Sequence, residues 1–477
     1  MRRAWPLVLM LCVAGCDLGP DYKRPETPEP GAWDGKADQA GVWPSSDWWK
    51  GFDSPVLDQL VDEAQKANPD LRAATARVRE ADAQARISGA ALLPSIELDA
   101  AASTQRALEL GQYSTFRNYM FEPTASYEID FWGKNRAQLQ SAENLALASR
   151  YDRQTVALTL VTDVANGYFQ VLGLQDRLAV AERNLVNAKE VLKGVVEQNR
   201  VGNATLLDVV QQRTTVSQAQ TAIPPLEQQL RQSTDGLAVL LGRLPEGTDI
   251  ETKSLLTLSL PSVAPGLPSQ LLERRPDVAQ AEAQLISANA DIKVARAQFF
   301  PSIDLTAAGG FESSALATLF SRRSGIYDLG GSLTAPIFEG GRLTGQYEYQ
   351  KARFDELAET YRKSVLSAFG DVETALAAVA KTREQLAAQQ ETVDLARRAF
   401  EISQEQYRVG AVTLLTMLNT QNALFPAEDT LVQVRLAHLQ ALVSLFQALG
   451  GGWEKDKMDV TPTVAPLVNA LPFQAPD

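Results

Sequence analysis

The sequence predicts a mixed α and β fold that is built from a tandem structural repeat. Six short motifs recur along the chain at a nearly constant spacing of 207 or 208 residues. Each copy contains strand patterns of period two, followed by a very long helical stretch without proline. Helices of this length are unusual in a single globular domain and are typical of coiled coils.

The repeat is defined by matched motifs that begin and end the same kinds of segment. The clearest pairs are Asn68-Pro69-Asp70-Leu71 with Arg275-Pro276-Asp277-Val278, Leu93-Pro94-Ser95-Ile96 with Phe300-Pro301-Ser302-Ile303, and Arg200-Val201-Gly202 with Arg408-Val409-Gly410. Because these anchors keep a common spacing, we interpret the chain as a tandem duplication. Each copy is too long to be a solenoid unit.

The N-terminus has the pattern of a bacterial signal peptide. Arg2 and Arg3 precede an apolar stretch from Leu7 to Val13. The sequence Val13-Ala14-Gly15-Cys16 then resembles a lipobox, whose cysteine is acylated and becomes the first residue of the mature chain. A plain cleavage site with a chance cysteine is the alternative. We therefore expect a covalent lipid on Cys16 and no other cofactor.

These signals divide the chain into six predicted segments. They are a signal peptide at 1–15, a lipidated N-terminal segment at 16–67, a first repeat at 68–242, an inter-repeat linker at 243–274, a second repeat at 275–452 and a C-terminal tail at 453–477.

Composition excludes several classes of function. The formal net charge of -13 argues against a nucleic-acid partner, because phosphate binding needs a surplus of Lys and Arg. The two cysteines lie at the N-terminus and His438 is the only histidine, which leaves little with which to build a metal site. No nucleophile elbow or phosphate loop is present, so we predict a protein that is not an enzyme.

Each repeat is predicted to run from a medium helix, through two strands, into a long helical hairpin. The medium helices begin at Pro69 and Pro276, because proline is favoured in a first helical turn. The long helices extend from Lys134 to Arg200 and from Arg342 to Tyr407, each followed by a second long helix after a glycine turn. A helix of that length measures about 100 Å.

The predicted strands have one apolar and one polar face. In the segment from Tyr119 to Phe131, apolar side chains alternate with polar ones such as Glu122, Glu128 and Asp130. This alternation is typical of a transmembrane β-barrel strand, but a soluble sheet with one buried face gives the same pattern. The long helices favour the barrel.

The motifs resemble those of the TolC-like outer membrane factors, in the lipoprotein branch that serves resistance-nodulation-division efflux systems. They run from the lipidation site almost to Gly452, and the most specific are Gly19-Pro20-Asp21-Tyr22-Lys23-Arg24-Pro25, Leu272-Glu273-Arg274-Arg275-Pro276-Asp277-Val278, Ala295-Arg296-Ala297-Gln298-Phe299-Phe300-Pro301 and Tyr407-Arg408-Val409-Gly410. The resemblance implies a homotrimeric transmembrane β-barrel with four strands per chain, continued by a long α-helical periplasmic barrel.

The same resemblance implies a location, partners and a function. We expect the protein in the outer membrane, lipid-anchored and extending into the periplasm. There it would act as the passive channel-tunnel of a tripartite efflux pump, with a periplasmic adaptor protein and an inner-membrane efflux pump as partners. An outer-membrane channel for type I protein secretion is the alternative within this class. A periplasmic coiled-coil scaffold with a soluble sheet is the alternative outside it.

The resemblance also places a gate at the periplasmic tips of the helical hairpins. Leu415 matches an apolar constriction, whereas Thr416 and Asn419 stand where relatives carry acidic rings, so an acid-ringed entrance is in doubt. Asp208 and Tyr407 match a network between neighbouring helices. The arginine of that network falls at Val412, so the network is altered and Arg408 is its candidate substitute. Gln211 is the last residue of the first turn segment, which begins at Val201.

Overall fold

The structure, a computed structural model, describes residues 18–27, 31, 33, 43–109, 111–246, 250, 254–263 and 268–453. Cys16 and the signal segment 1–15 lie outside the described residues, as does the tail beyond Trp453. Among the described residues, no helix is both long enough and apolar enough to cross a bilayer.

Nine α-helices and four β-strands make up the described part of the chain. They are α1 (Pro55–Ala67), α2 (Pro69–Ala90), β1 (Ser95–Glu109), β2 (Gln112–Glu128), α3 (Lys134–Arg200), α4 (Leu206–Thr221), α5 (Ile223–Leu240), α6 (Pro268–Arg274), α7 (Pro276–Ala297), β3 (Ser302–Ser313), β4 (Gly325–Thr334), α8 (Arg342–Arg408) and α9 (Leu414–Ala448). The two halves therefore share one order: medium helix, two strands, long helix, glycine turn and returning helix.

The returning helix of the first half differs from the prediction. The sequence predicts one long helix there, but the structure has two helices, α4 and α5, which meet at Ala222. Pro224 and Pro225 explain the break, since each removes a backbone donor and the ring clashes with the preceding turn. In the second half α9 continues through Pro426 as one helix of 35 residues.

The four strands form one antiparallel sheet in the order β1-β2-β3-β4, so β1 and β4 are its edges. Ile96, Ala125, Ala307 and Leu329 are aligned across the four strands and share one face. None of the four is buried: the exposed fraction is 77% for Ile96 and 76% for Leu329 on the edge strands, while Ala125 and Ala307 on the central strands are half-buried.

The opposite face of the sheet is acidic. The register places alternate residues there, and their carboxylates line the face as Glu97, Asp99, Glu122, Glu128, Asp304, Glu312 and Asp328. The predicted separation into an apolar and a polar face is confirmed. The apolar face is not the buried inner face that a soluble sheet would require.

The main core lies among the helices at the middle of the molecule. The N-terminal segment contributes to it: Trp48 stacks on Phe446 with ring centroids 4.7 Å apart, and Phe52 contacts Phe169 edge-on at 4.9 Å. Helix α3 spans the whole length of this body and packs against α2, α4, α5, α7 and α9. His438 is buried in the same region, where its Nδ1 lies 2.8 Å from the Thr382 hydroxyl.

Candidate functional site at the tips of the helical hairpins

The two long helices end in turns with the same backbone conformation. Gly202 and Gly410 have φ angles of 86° and 78°, in the left-handed region that favours glycine. Asn203 N then donates to Gln198 O and Ala411 N donates to Gln406 O, both at 2.8 Å. These bonds are typical of a Schellman cap, which pairs carbonyls of the last helical turn as the chain reverses.

The first turn is locked by a reciprocal capping box. The Thr205 hydroxyl accepts from the Asp208 amide at 3.2 Å, and the Asp208 carboxylate accepts from the Thr205 amide at 2.7 Å. The Thr205 hydroxyl also donates to this carboxylate, at 2.8 Å. Asp208 therefore stabilises the start of α4, a role that the sequence interpretation missed although Thr205 stands three residues before it.

The second turn has the same cap without the charge. Thr416 N donates to the Thr413 hydroxyl at 3.3 Å, and the two threonine hydroxyls are 3.1 Å apart. Thr416 stands at the place that Asp208 takes in the first turn, 208 residues earlier. Thr416 and Asn419 are both exposed. Whether these two side chains face the entrance stays a prediction.

Asp208 lies near enough to Tyr407 for its charge to act on the phenol hydroxyl. Burial raises the pKa of the Tyr407 hydroxyl, and the negative charge of Asp208 raises this pKa further. Among the described contacts, the hydrogen bonds to the Asp208 carboxylate come from Thr205, not from Tyr407. The predicted bond between Asp208 and Tyr407 is thus not formed in this single chain, and the network across neighbouring helices stays a prediction.

Arg408 has a partner other than Asp208. Its guanidinium binds Glu405 one turn earlier, with Nε and Oε2 at 2.9 Å. Arg200 forms the same pair with Glu197 in the first half. Each ion pair is exposed and lies within a single helix, so it contributes little stability. Arg408 is predicted to substitute for the arginine that is missing at Val412. Because its guanidinium already binds Glu405, this geometry does not favour that role.

Exposed leucines mark both turns. Leu415 has an exposed fraction of 60%, and Leu207, its counterpart 208 residues earlier, has 64%. The sequence interpretation assigned only Leu415 to the constriction, although the repeat spacing pointed to Leu207 as well. Gln211 is half-buried on α4 beyond this leucine.

Below the turns, the two hairpins share a small apolar core. Its members come from α3, α4, α8 and α9: Val191, Val195, Val209, Phe400, Leu414, Met417, Leu418 and Leu424. Gln212 lies fully buried beside it and donates to Ala188 O at 2.9 Å. The tip is therefore held by packing and by capping, while Leu207 and Leu415 stay outside its core.

Comparison with known proteins identifies the architecture. The family model for the outer membrane efflux protein matches the chain twice, over residues 60–243 and 267–451. The chain belongs to the outer membrane efflux protein family. Members of this family are channels, so this protein is not an enzyme, and its place is the outer membrane with an extension into the periplasm.

Individual relatives cover nearly all of the chain. The pyoverdine export outer membrane protein OpmQ of Pseudomonas aeruginosa is 44% identical over 86% of this chain and 88% of its own length. The toluene efflux pump outer membrane protein TtgI of Pseudomonas putida is 34% identical over 94% and 98%. The open state of the MtrE channel of Neisseria gonorrhoeae superimposes with a TM-score of 0.86 at 28% identity, over 93% of this chain and 100% of that one.

Proposed function

We propose that three copies of this chain close a twelve-stranded β-barrel in the outer membrane, and that their helices continue it as a tunnel into the periplasm. The observation that carries this proposal is the sheet. Its apolar face is exposed and its two edge strands, β1 and β4, have no partner within the described chain. An unpaired edge is not tolerated in lipid, so the sheet must close with other copies.

Three copies satisfy the geometry of a barrel. Four strands from each give an even number within the range of known barrels. Strands β3 and β4 have 12 and 10 residues, close to the roughly 9–11 residues that a tilted strand needs to span the bilayer. In this arrangement the apolar face meets lipid and the acidic face lines the lumen.

We infer that the two halves arose by duplication of one unit. Support comes from the shared order of elements, from the motifs at constant spacing and from the two separate matches to one family model. The duplication supplies each chain with two strand pairs and two hairpins, which tripled give the full barrel and tunnel.

We further propose that the tunnel conducts small molecules passively and is sealed at the hairpin tips. Leu207 and Leu415 are exposed at equivalent places of the two turns, so three chains would present six leucines around the axis. A ring of apolar side chains excludes water and ions when it is narrow, as in hydrophobic gates of other channels. A partner opens such a seal by binding the open form more tightly.

The partners follow from the names of the relatives. TtgI is named as the outer membrane protein of a toluene efflux pump, which favours a tripartite role with a periplasmic adaptor and an inner-membrane pump for this chain too. The similarity to two pyoverdine export proteins, at 44% and 43% identity, makes pyoverdine the first cargo to test. These names favour efflux over type I protein secretion.

The lipid anchor on Cys16 is also a proposal, and the described N-terminal strap supports it. Residues 18–27 run along α7: Arg24 binds Glu282, Asn289 donates to Pro20 O at 3.1 Å, and Gly19 lies against Lys293. Because α7 leads directly into β3, the strap approaches the sheet as it runs back toward residue 18. A strap that runs toward the membrane end of the molecule is what a lipid on the nearby Cys16 would require.

Export by the native host tests this function. Deletion of the gene should trap pyoverdine inside the cell and lower tolerance to toluene, and the wild-type gene on a plasmid should restore both. Restoration of only one of the two would identify the cargo. Unchanged secretion together with unchanged solvent tolerance would contradict both pyoverdine and toluene as cargos.

A further inference from the structure

The β1–β2 hairpin extends beyond the rest of the sheet. Strand β3 pairs with β2 only as far as Tyr119 and Ser313, whereas β1 and β2 continue pairing to their turn. Residues 103–109 and 112–118 thus form a two-stranded ribbon past the end of the four-stranded sheet. Since the helices leave the opposite end, this ribbon points to the cell exterior in the proposed barrel.

The register places two arginines on the outward face of the ribbon. Thr104 pairs with Arg117 and Arg106 pairs with Thr115, and the alternation puts both arginines on the face that carries Leu98. From Ile129 at the base of the sheet to Arg117 is roughly 40 Å of strand, or about 30 Å of height at a tilt near 40°. An apolar band is about 25 Å tall, so Arg117 lies just beyond it.

A second pair of arginines lies in the loop at the same end. Arg322 and Arg323 are exposed in a short 3-10 helix between β3 and β4. Phe320 of this loop contacts Phe121 and Phe311, with ring centroids 5.7 and 5.5 Å apart. Both phenylalanines belong to the apolar face, so the loop folds onto the outside of the sheet. Arg106, Arg117, Arg322 and Arg323 are called the outer arginine girdle below.

The outer arginine girdle differs from the cations at the other end of the sheet. There Lys134 binds Glu128 at 2.6 Å, Arg136 binds Asp130 at 3.0 Å and Arg342 binds Glu339. Within the described residues, no girdle arginine has a carboxylate partner, and Arg106 instead lies over the ring of Tyr113 at 5.0 Å. The positive charge is neutralised at the periplasmic rim and is left available at the external rim.

We propose that the outer arginine girdle binds the phosphate groups of the glycolipid that forms the outer leaflet, lipopolysaccharide. This proposal rests on the barrel of the proposed function. Guanidinium groups bind phosphate in bidentate fashion, and aromatic side chains such as Tyr113 and Phe320 favour the boundary between headgroups and acyl chains. The paired cations of the periplasmic rim face the other leaflet and offer no comparable charge.

Binding of purified lipid A tests the proposal. Full-length protein extracted from outer membranes is titrated in detergent with lipid A that carries both phosphates, and in parallel with dephosphorylated lipid A and inorganic phosphate. Each arginine near a charged headgroup surface contributes about a fivefold factor in affinity. We expect wild type to favour the phosphorylated lipid at least about tenfold, and the variant R106Q/R117Q/R322Q/R323Q to lose that preference.

Two variants separate charge from folding. The variant R106K/R117K/R322K/R323K keeps the charges and should retain most of the preference, whereas R136Q/R342Q removes two paired cations and should leave it unchanged. Three results would overturn lipid binding by the girdle: equal binding of both lipids by wild type, the same loss of preference in R136Q/R342Q, or equally tight binding of inorganic phosphate. The barrel would still be supported if only detergent extracts the protein from membranes. A wild-type chain that high salt alone extracts from membranes would overturn both.

Discussion

The sheet and the helical body place their apolar side chains in opposite environments. In the body, Phe52 and Leu172 are completely buried, whereas in the sheet Ile96 and Leu329 are more than three-quarters exposed. The helical body therefore has its own core, whereas the apolar face of the sheet has none within the described chain. In the proposed barrel, lipid and the neighbouring copies cover this face and pair with the edges of the sheet.

The hairpin tips are a second place where apolar side chains lie exposed. Leu207 and Leu415 belong to the body but have no core to enter. The sheet and the tips lie at opposite ends of the long helices, and both are expected to be completed by neighbouring chains. The difference between them is the surrounding medium, since the tips border water.

Charge on the lipid-facing side of the sheet should give the largest effect. Leu98→Lys and Leu305→Lys put a cation on the apolar face, which costs about 2–4 kcal/mol per chain near the bilayer midplane. We expect a strong loss of detergent-extractable trimer on semi-native gels.

The acidic face supplies the matched controls. Glu97→Lys and Asp304→Lys lie at neighbouring positions whose side chains line the lumen in the proposed barrel. Their trimer yields should stay near wild type. Equal yields from the two sets would remove the distinction between the faces.

The tips should show an intermediate effect, visible in conductance. Leu415→Ala shortens the side chains of the proposed apolar ring and so widens its opening. We expect a higher single-channel conductance in planar bilayers. Asp208→Ala with Tyr407→Phe removes both members of the network predicted between neighbouring helices, whose hydrogen bond would be worth about 1.5–3 kcal/mol when shielded. Because Asp208 already accepts from Thr205, we expect this double variant to conduct less than Leu415→Ala.

The contrary result has a clear meaning for the tips. A double variant that opens widely while Leu415→Ala conducts like wild type would show that hydrogen bonds, not leucines, close the entrance. Thr205→Ala is the control for the cap, because it disrupts the start of α4 without touching Tyr407.

Loss of the lipid on Cys16 should have the smallest effect on trimer yield. Acyl chains add reversible affinity for a membrane, whereas a closed barrel spans it. Cys16→Ser, expressed with a cleavable signal, should still give trimers in the outer membrane that only detergent extracts. Recovery of this variant from the soluble periplasmic fraction would mean that the sheet does not hold the molecule.

The regular parts of the fold were predictable from the sequence. The helix from Lys134 to Arg200 and the start at Arg342 are confirmed, because proline and glycine bracket uninterrupted helical sequence. The length of the β1–β2 hairpin was not, since residues 101–107 are small or polar and carry no clear alternation. The break at Ala222 also escaped, although two consecutive prolines follow it.

The candidate site was predictable only in position. The repeat located both turns, and glycine located the reversal in each. Which partner a side chain takes depends on its rotamer and on its neighbours, so the capping role of Asp208 and the pairing of Arg408 with Glu405 emerged only from the structure. The contacts between chains in the proposed trimer can be tested directly.

Cysteine cross-linking between edge strands is that test. The only native cysteines are Cys12 and Cys16, so a Cys16→Ser background leaves the mature chain free of thiols. Leu98→Cys on β1 is combined in turn with Tyr327→Cys, Leu329→Cys or Leu333→Cys on β4, and Leu98→Cys with Ala307→Cys serves as the control two strands away. A disulfide needs Cα atoms within about 7 Å, which only directly paired strands provide. We predict that one edge pair gives a covalent trimer on a non-reducing denaturing gel and that the control does not. Monomers alone from every edge pair, in protein that detergent extracts from the outer membrane, would contradict the twelve-stranded barrel.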